Sequence, residues 1–188
     1  MAVLHHSRSA PYQRGFSLLE VSVVTAIILL VAILAVPAVG SYLVESRVPK
    51  VGEELSRFIV QTQVHAPYES GAPYAGVTTA TLARHIQPGS ALTVSANRQQ
   101  VMHGLGSGGQ VSLEVRESGA ALALTLDKVS HAACPALLSM LQRLAAGMSI
   151  QGEGALKEVK SATLAYNALA AQSSCAQGDR NTFVLLVR

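Results

Sequence analysis

Glu20 stands directly before twenty residues, Val21 to Gly40, that include no charged side chain. A carboxylate inside a spanning helix costs about 2.5 kcal/mol or more at the centre and less near the edge. Such a residue is a functional candidate by default and calls for a cationic partner. Its chemistry is ion pairing. No pair of acids elsewhere suggests general acid–base catalysis. Ser107 is not in a nucleophile elbow, because Leu105 occupies the first glycine position of that motif. Gly104-Leu105-Gly106-Ser107-Gly108-Gly109 matches G-x-G-x-x-G. A dinucleotide site needs a strand before the motif and a helix after it. Here a strand pattern follows, so the segment reads as a flexible hairpin loop. His65, His85, His103 and His131 have no i, i+4 partner and no cysteine at metal spacing. They read as single surface or half-buried histidines. Neither a metal nor a cofactor is expected. Cys134 and Cys175 are the two cysteines. In an exported domain they suggest one disulfide. In a cytosolic protein they would more often be two unrelated buried thiols.

The elements that position these residues begin with the apolar run. Twenty helical residues span about 30 Å, the hydrocarbon thickness of a bilayer. Arg8 and Arg14 precede the run, and Arg47 is the first basic residue after it. That asymmetry keeps the N-terminus in the cytoplasm and sends the rest across. The formal charge is +3. Without Arg8 and Arg14, twelve basic residues face eleven acidic ones. Basic residues do not cluster, so no nucleic-acid partner is expected. Three simpler readings of the run compete: an uncleaved signal anchor, a secretory signal cut after Ala38-Val39-Gly40, and a buried core helix. The run is longer than the usual apolar region of a secretory signal, about 7–15 residues. None of the three accounts for Glu20.

Arg14-Gly15-Phe16-Ser17-Leu18-Leu19-Glu20, followed by an apolar helix, resembles the N-terminus of type IV prepilins. The resemblance implies that prepilin peptidase cuts between Gly15 and Phe16, so that the helix stays in the mature protein. It implies N-methylation of Phe16 and makes Glu20 the fifth mature residue, matching the family's glutamate. Pro37 falls where many pilins carry a proline that loosens the helix on assembly. The residue types fit those roles. Gly15 lets a protease approach the backbone closely, because it has no Cβ. Cleavage exposes a cationic amine that a neighbour's Glu20 could pair in a filament. An unpaired buried charge is strongly destabilising, so such a pair would fix axial register.

Past the membrane, Val44, Val48, Val51, Leu55, Phe58 and Thr62 recur at intervals of three and four, the spacing of one helical face. Pro37, Pro49 and Gly52 predict kinks or local unwinding, and Pro67 a stop. A loop follows to Gly76, then a short helix from Thr78 or Thr79 to about Ile86. Val111, Leu113 and Val115 alternate with polar residues, as do Leu122, Leu124 and Leu126. With Ser118-Gly119 between them they predict an antiparallel hairpin. Pro135 suits the first position of a helix whose apolar stripe runs through Leu137, Leu138, Leu141, Leu144 and Met148. Gly147 and the Gly152/Gly154 pair mark its end and a loop. A strand is expected within Leu156–Tyr166, a short helix over Asn167–Ser173, and a last strand, buried on both faces, over Thr182–Val187.

The wide cysteine spacing, the helix after Cys134, and the ending Ser-Cys-Ala-Gln-Gly-Asp-Arg-Asn-Thr-Phe resemble type IVb pilins, and among them the thin-pilus pilins of conjugative plasmids. A Cys134–Cys175 disulfide is what this resemblance implies. The fifteen-residue leader and Phe16 instead match type IVa pilins and pseudopilins. The expected fold is α+β: a long N-terminal helix on an antiparallel sheet, with a C-terminal disulfide-bounded region. Expected segments are a leader (1–15), a transmembrane and filament-core helix (16–40), its amphipathic continuation (41–66) and an exported head (67–188). The expected function is structural and not enzymatic: a pilus subunit for adhesion, aggregation or conjugation, or else a minor pilin or pseudopilin of a secretion or DNA-uptake machine. A membrane-anchored periplasmic enzyme or binding protein is a third reading that no sequence motif supports. Expected partners are further pilin copies, prepilin peptidase, an inner-membrane assembly platform, and the membrane before assembly. Expected locations are the inner membrane before assembly and an extracellular pilus after it.

Overall fold

The computed structural model describes residues 15–67 and 71–188, with backbone alone at 36–38. Arg8, Arg14 and the rest of the expected leader before Gly15 lie outside the described residues, as does the side chain of Pro37. The chain divides into a first unit ending at Val39 and a second, Gly40–Arg188.

Helix α1 covers Leu18–His65. In the first unit the large apolar side chains that are described are exposed. In the second unit it buries Val48, Val51, Leu55, Phe58 and Ile59 in the core, on the face that the spacing marks. α1 runs through Pro49 and Gly52, where the sequence suggests kinks or unwinding. A proline inside a helix costs about 3 kcal/mol. Val48, Val51 and Leu55 flank it, and each contributes about 1.5–3 kcal/mol on full burial, so burial wins. α1 ends two residues before Pro67, as a residue preceding proline disfavours helix.

α2 is Thr79–His85. The Thr78 N–H donates to Thr81 Oγ1 at 3.2 Å and closes the first turn. Strands β1 (Thr93–Val94), β2 (Val101–Met102), β3 (Gln110–Arg116) and β4 (Ala121–Ser130) follow. α3 (Cys134–Leu141), β5 (Gly147–Gln151), β6 (Lys157–Lys160), α4 (Ala168–Gln172) and β7 (Asp179–Val187) complete the head. The seven strands form one sheet in the order β1-β2-β3-β4-β7-β5-β6. Every neighbouring pair is antiparallel. Both edges are poor templates for pairing: β1 is two residues long, and β6 reads Lys-Glu-Val-Lys.

The β3–β4 hairpin forms as expected, in a register that sets Val111 opposite Leu126, Leu113 opposite Leu124 and Val115 opposite Leu122. Its turn places Glu117 (φ 52°) and Ser118 (φ 54°) in the left-handed region. That conformation costs a side-chain-bearing residue about 1–2 kcal/mol. Ser118→Gly is therefore expected to stabilise the head by about 1 kcal/mol, read as a higher urea midpoint with an unchanged m-value.

Two expectations need correction. α3 ends at Leu141, and Met148 belongs to β5, not to a helical stripe. Lys160 Nζ donates to the carbonyls of Gln142 and Ala145, closing the chain just past the helix. Met148 and Ile150 then alternate into the core along a strand paired with β7. The second concerns β7, which is not equally buried on both faces. Asn181, Phe183, Leu185 and Val187 are buried, whereas Thr182, Val184 and Leu186 are half-buried.

Cys134 and Cys175 form a disulfide with a Cα–Cα distance of 6.3 Å. It ties the start of α3 to the residues after α4. Asn167 caps α4, accepting from the N–H groups of Leu169 (3.0 Å) and Ala170 (3.1 Å). Beyond the bridge, buried Asn181 accepts from Ala176 N–H at 2.6 Å and donates to the Val129 and Ala176 carbonyls.

α1 also grips a distant loop. The Glu54 carboxylate accepts from Ser90 Oγ and from the N–H groups of Ala91 (2.7 Å) and Leu92 (3.3 Å). Hydrogen bonds to a charged group contribute about 1.5–3 kcal/mol. Glu54→Ala is expected to cost about 2 kcal/mol in chemical unfolding; a loss under about 0.5 kcal/mol would mean that the loop holds itself.

Candidate assembly site

The N-terminal segment is built by the first turns of α1. Ser17 precedes the helix and closes it from outside. Its Oγ accepts from Leu19 N–H at 3.3 Å and its carbonyl from Val21 N–H at 3.1 Å. The hydroxyls within the apolar run are satisfied by helix carbonyls: Ser22 donates to Leu19 at 2.8 Å and Thr25 to Val21 at 2.8 Å. Neither brings an unmade hydrogen bond into an apolar surrounding. Glu20 lies in the first turn, where the helix dipole favours a negative charge. Phe16, Glu20, Val21, Val24 and Thr25 line one concave surface. Phe16 is 81% exposed and Leu18 90% exposed. The surface thus offers one carboxylate at the border of an apolar helix, open to a partner. α1 is long and apolar enough to cross a membrane.

The structure brings Gly15, Phe16 and Glu20 together in sequence order at one helix start, and sets Cys134 with Cys175 in the head. Sequence reasoning missed the contacts of three polar residues: Glu54, Asn181 and His103. His103 is fully buried, where the sequence reads as a surface or half-buried histidine. His85 is exposed, and its ring meets Phe58 edge-on at 5.7 Å. Among the described residues, no three His, Cys, Asp or Glu side chains are grouped to hold a metal.

A family described as the prokaryotic N-terminal methylation motif matches residues 11–36. A second, described as PilS N terminal, matches residues 52–188, well over half of the chain. The chain belongs to the PilS family of type IV pilins. A search of curated proteins finds no match. Among solved structures, this pilin is similar to a type IVb pilin from Salmonella typhi, with 16% identity and a TM-score of 0.50 over 74% of this chain and 96% of that one. It is also similar to TcpA, a type IV pilin from Vibrio cholerae El Tor biotype, with 15% identity and a TM-score of 0.45 over 77% and 99%. At 16% identity the first likeness speaks to the fold. It agrees with the α+β architecture of a long N-terminal helix, an antiparallel sheet and a disulfide-bounded end.

Proposed function

We propose that this pilin is a structural subunit of a type IVb-like pilus, made as a precursor and polymerised through its N-terminal helix. The observation that carries the reading is Glu20 at the start of an exposed apolar helix, inside a matched methylation motif. Residues 1–15 are a leader that prepilin peptidase removes by cutting between Gly15 and Phe16, and Phe16 is then N-methylated. Residues 16–40 hold the subunit in the inner membrane, single-pass, until an assembly platform extracts it. In the filament, the Phe16 amine of one copy pairs with the Glu20 carboxylate of its neighbour. Pro37 loosens the helix as the subunits pack. Residues 41–66 carry the helix into the exported head, and the extracellular fibre serves adhesion, aggregation or conjugation. A second reading, a minor pilin or pseudopilin of a secretion or DNA-uptake machine, is favoured by one feature: the first mature residue would be Phe16 after a short leader.

The test is the mass of the N-terminal peptide of the membrane-extracted protein from its native host. A peptide beginning at N-methylated Phe16 supports the precursor reading. One beginning at Ser41 makes the protein secreted and soluble, and one retaining Met1 makes it a plain signal anchor. Immunogold counting along filaments then separates a main subunit from a sparse one.

A further inference from the structure

The G-x-G-x-x-G segment joins β2 to β3 and wraps a single imidazole. The His103 ring uses both nitrogens in opposite senses. Leu105 N–H donates to Nδ1 at 3.0 Å, and Nε2–H donates to the Asp127 carbonyl at 2.8 Å. Only the neutral ring with its proton on Nε2 satisfies both. The glycines fit the wrap. A Cβ on Gly109 would overlap the His103 ring, and one on Gly106 would overlap the Lys128 carbonyl. Gly104 (φ 62°) and Gly108 (φ 69°) take the left-handed turns. The closed loop is fastened at three further points. Ser107 donates to the Asp179 carboxylate from its N–H (2.7 Å) and Oγ (2.8 Å). Ser130 N–H donates to the Leu105 carbonyl at 2.8 Å. Arg47, on α1, donates to the Gly104 carbonyl at 3.3 Å.

We propose that the glycine loop is an acid-released latch keyed by His103: the neutral ring holds residues 104–109 closed against α1 within the head, and a proton on Nδ1 opens them. The added N–H would face the Leu105 N–H, donor against donor, in a site closed to water. One of the two must leave, and in the latch it is the loop, which takes the buried Leu105 out of the core with it. The charged groups around the ring divide. The Asp127 carboxylate on β4 and the Asp179 carboxylate on β7 favour the imidazolium. Arg47 reaches the loop from α1, and the Lys128 side chain on β4 is exposed to solvent. Burial pushes the ring below the ordinary histidine range, and it outweighs the Asp127 carbonyl and the two carboxylates. With the closed-state value lowered, the open loop binds the proton better. Closure is therefore fully present above about pH 6.5 and is lost as pH falls from there toward the closed-state value. Asp179 does not trip first. Burial alone would raise it, but hydrogen bonds from Ser107 and Ser130 hold it below the usual carboxylate range.

The test is hydrogen exchange of the full chain in detergent micelles, read on peptides spanning residues 103–110 and corrected for intrinsic rates. Below the threshold, loop protection is expected to fall about tenfold per pH unit while β4 and β7 stay protected. Equal loop protection at pH 7.5 and 5.0 overturns the proposal. His103→Gln offers an acceptor and a donor without a titrating group, so its loop should stay closed in acid. A loop that still opens in a folded His103→Gln chain assigns the switch to another group. Ring-nitrogen NMR of the unaltered chain decides where that variant fails to fold: a proton on Nδ1 at neutral pH, or an ordinary histidine titration, overturns the latch.

Discussion

Replacing Glu20 by Ala is expected to leave membrane insertion intact and to abolish filaments. The substitution makes the apolar run longer and removes a side chain that is costly to insert, so the precursor should reach the membrane at least as well. Assembly is where the loss would fall. In the proposed filament the amine of Phe16 lies among apolar helices, and the Glu20 carboxylate of a neighbour neutralises it. Removing one partner of a buried pair costs about 3–5 kcal/mol, because the other charge is left uncompensated. That is roughly a factor of 10² to 10⁴ in each subunit's association. A polymer compounds the loss at every addition. Electron microscopy of cells, with immunoblots of membrane fractions, checks both halves. Normal piliation by Glu20→Ala would remove the pairing argument, and an absent precursor would relocate the defect to insertion. Glu20→Gln refines the result, since it keeps the shape and a hydrogen-bond acceptor without the charge.

Cys134→Ser is expected to give the largest loss of head stability of any change described. The two cysteines are 41 residues apart, and the chain-entropy model assigns about 4 kcal/mol to closing a loop of that length. Cys134 is fully buried, so the serine hydroxyl adds the cost of an unsatisfied polar group, about 1 kcal/mol or more. For a domain of this size, 4 kcal/mol corresponds to a fall of about 10 °C in Tm. The unaltered chain under reducing conditions should lose a similar amount. Calorimetry of both samples checks this. Two free thiols in non-reducing peptide mapping would remove the premise.

Legibility followed the length of the periodic pattern. The buried face of α1 runs from Val48 to Ile59, about three turns, and its spacing survives Pro49 and Gly52. The β3–β4 hairpin shows six alternating apolar residues around a turn, enough to mark two paired strands. α3 and β5 were harder to separate. Leu141, Leu144 and Met148 keep helical spacing, while Met148 and Ile150 also keep strand spacing. Pairing with β7, more than thirty residues away, decided between them. β1 and β2 have two residues each, too few to carry a period. The missed polar contacts share one cause. Glu54 meets residues 36 to 38 positions away, His103 meets Asp127 across 24, and Asn181 reaches Val129 across 52. No local pattern encodes a partner at that distance. At the N-terminus the reverse holds, because its chemistry is written in consecutive residues.

The edges of the sheet bear on how such a subunit survives crowding. In the proposed pathway, many copies share one membrane before any fibre forms, with their heads on the same side. Concentration in two dimensions favours whatever contact is cheapest, and the cheapest for a β protein is strand against strand, the route to amyloid. A two-residue border on one side and a four-residue strand carrying two lysines and a glutamate on the other oppose that route. Such a pool can be dense without hardening, which leaves ordered growth to helices and side chains.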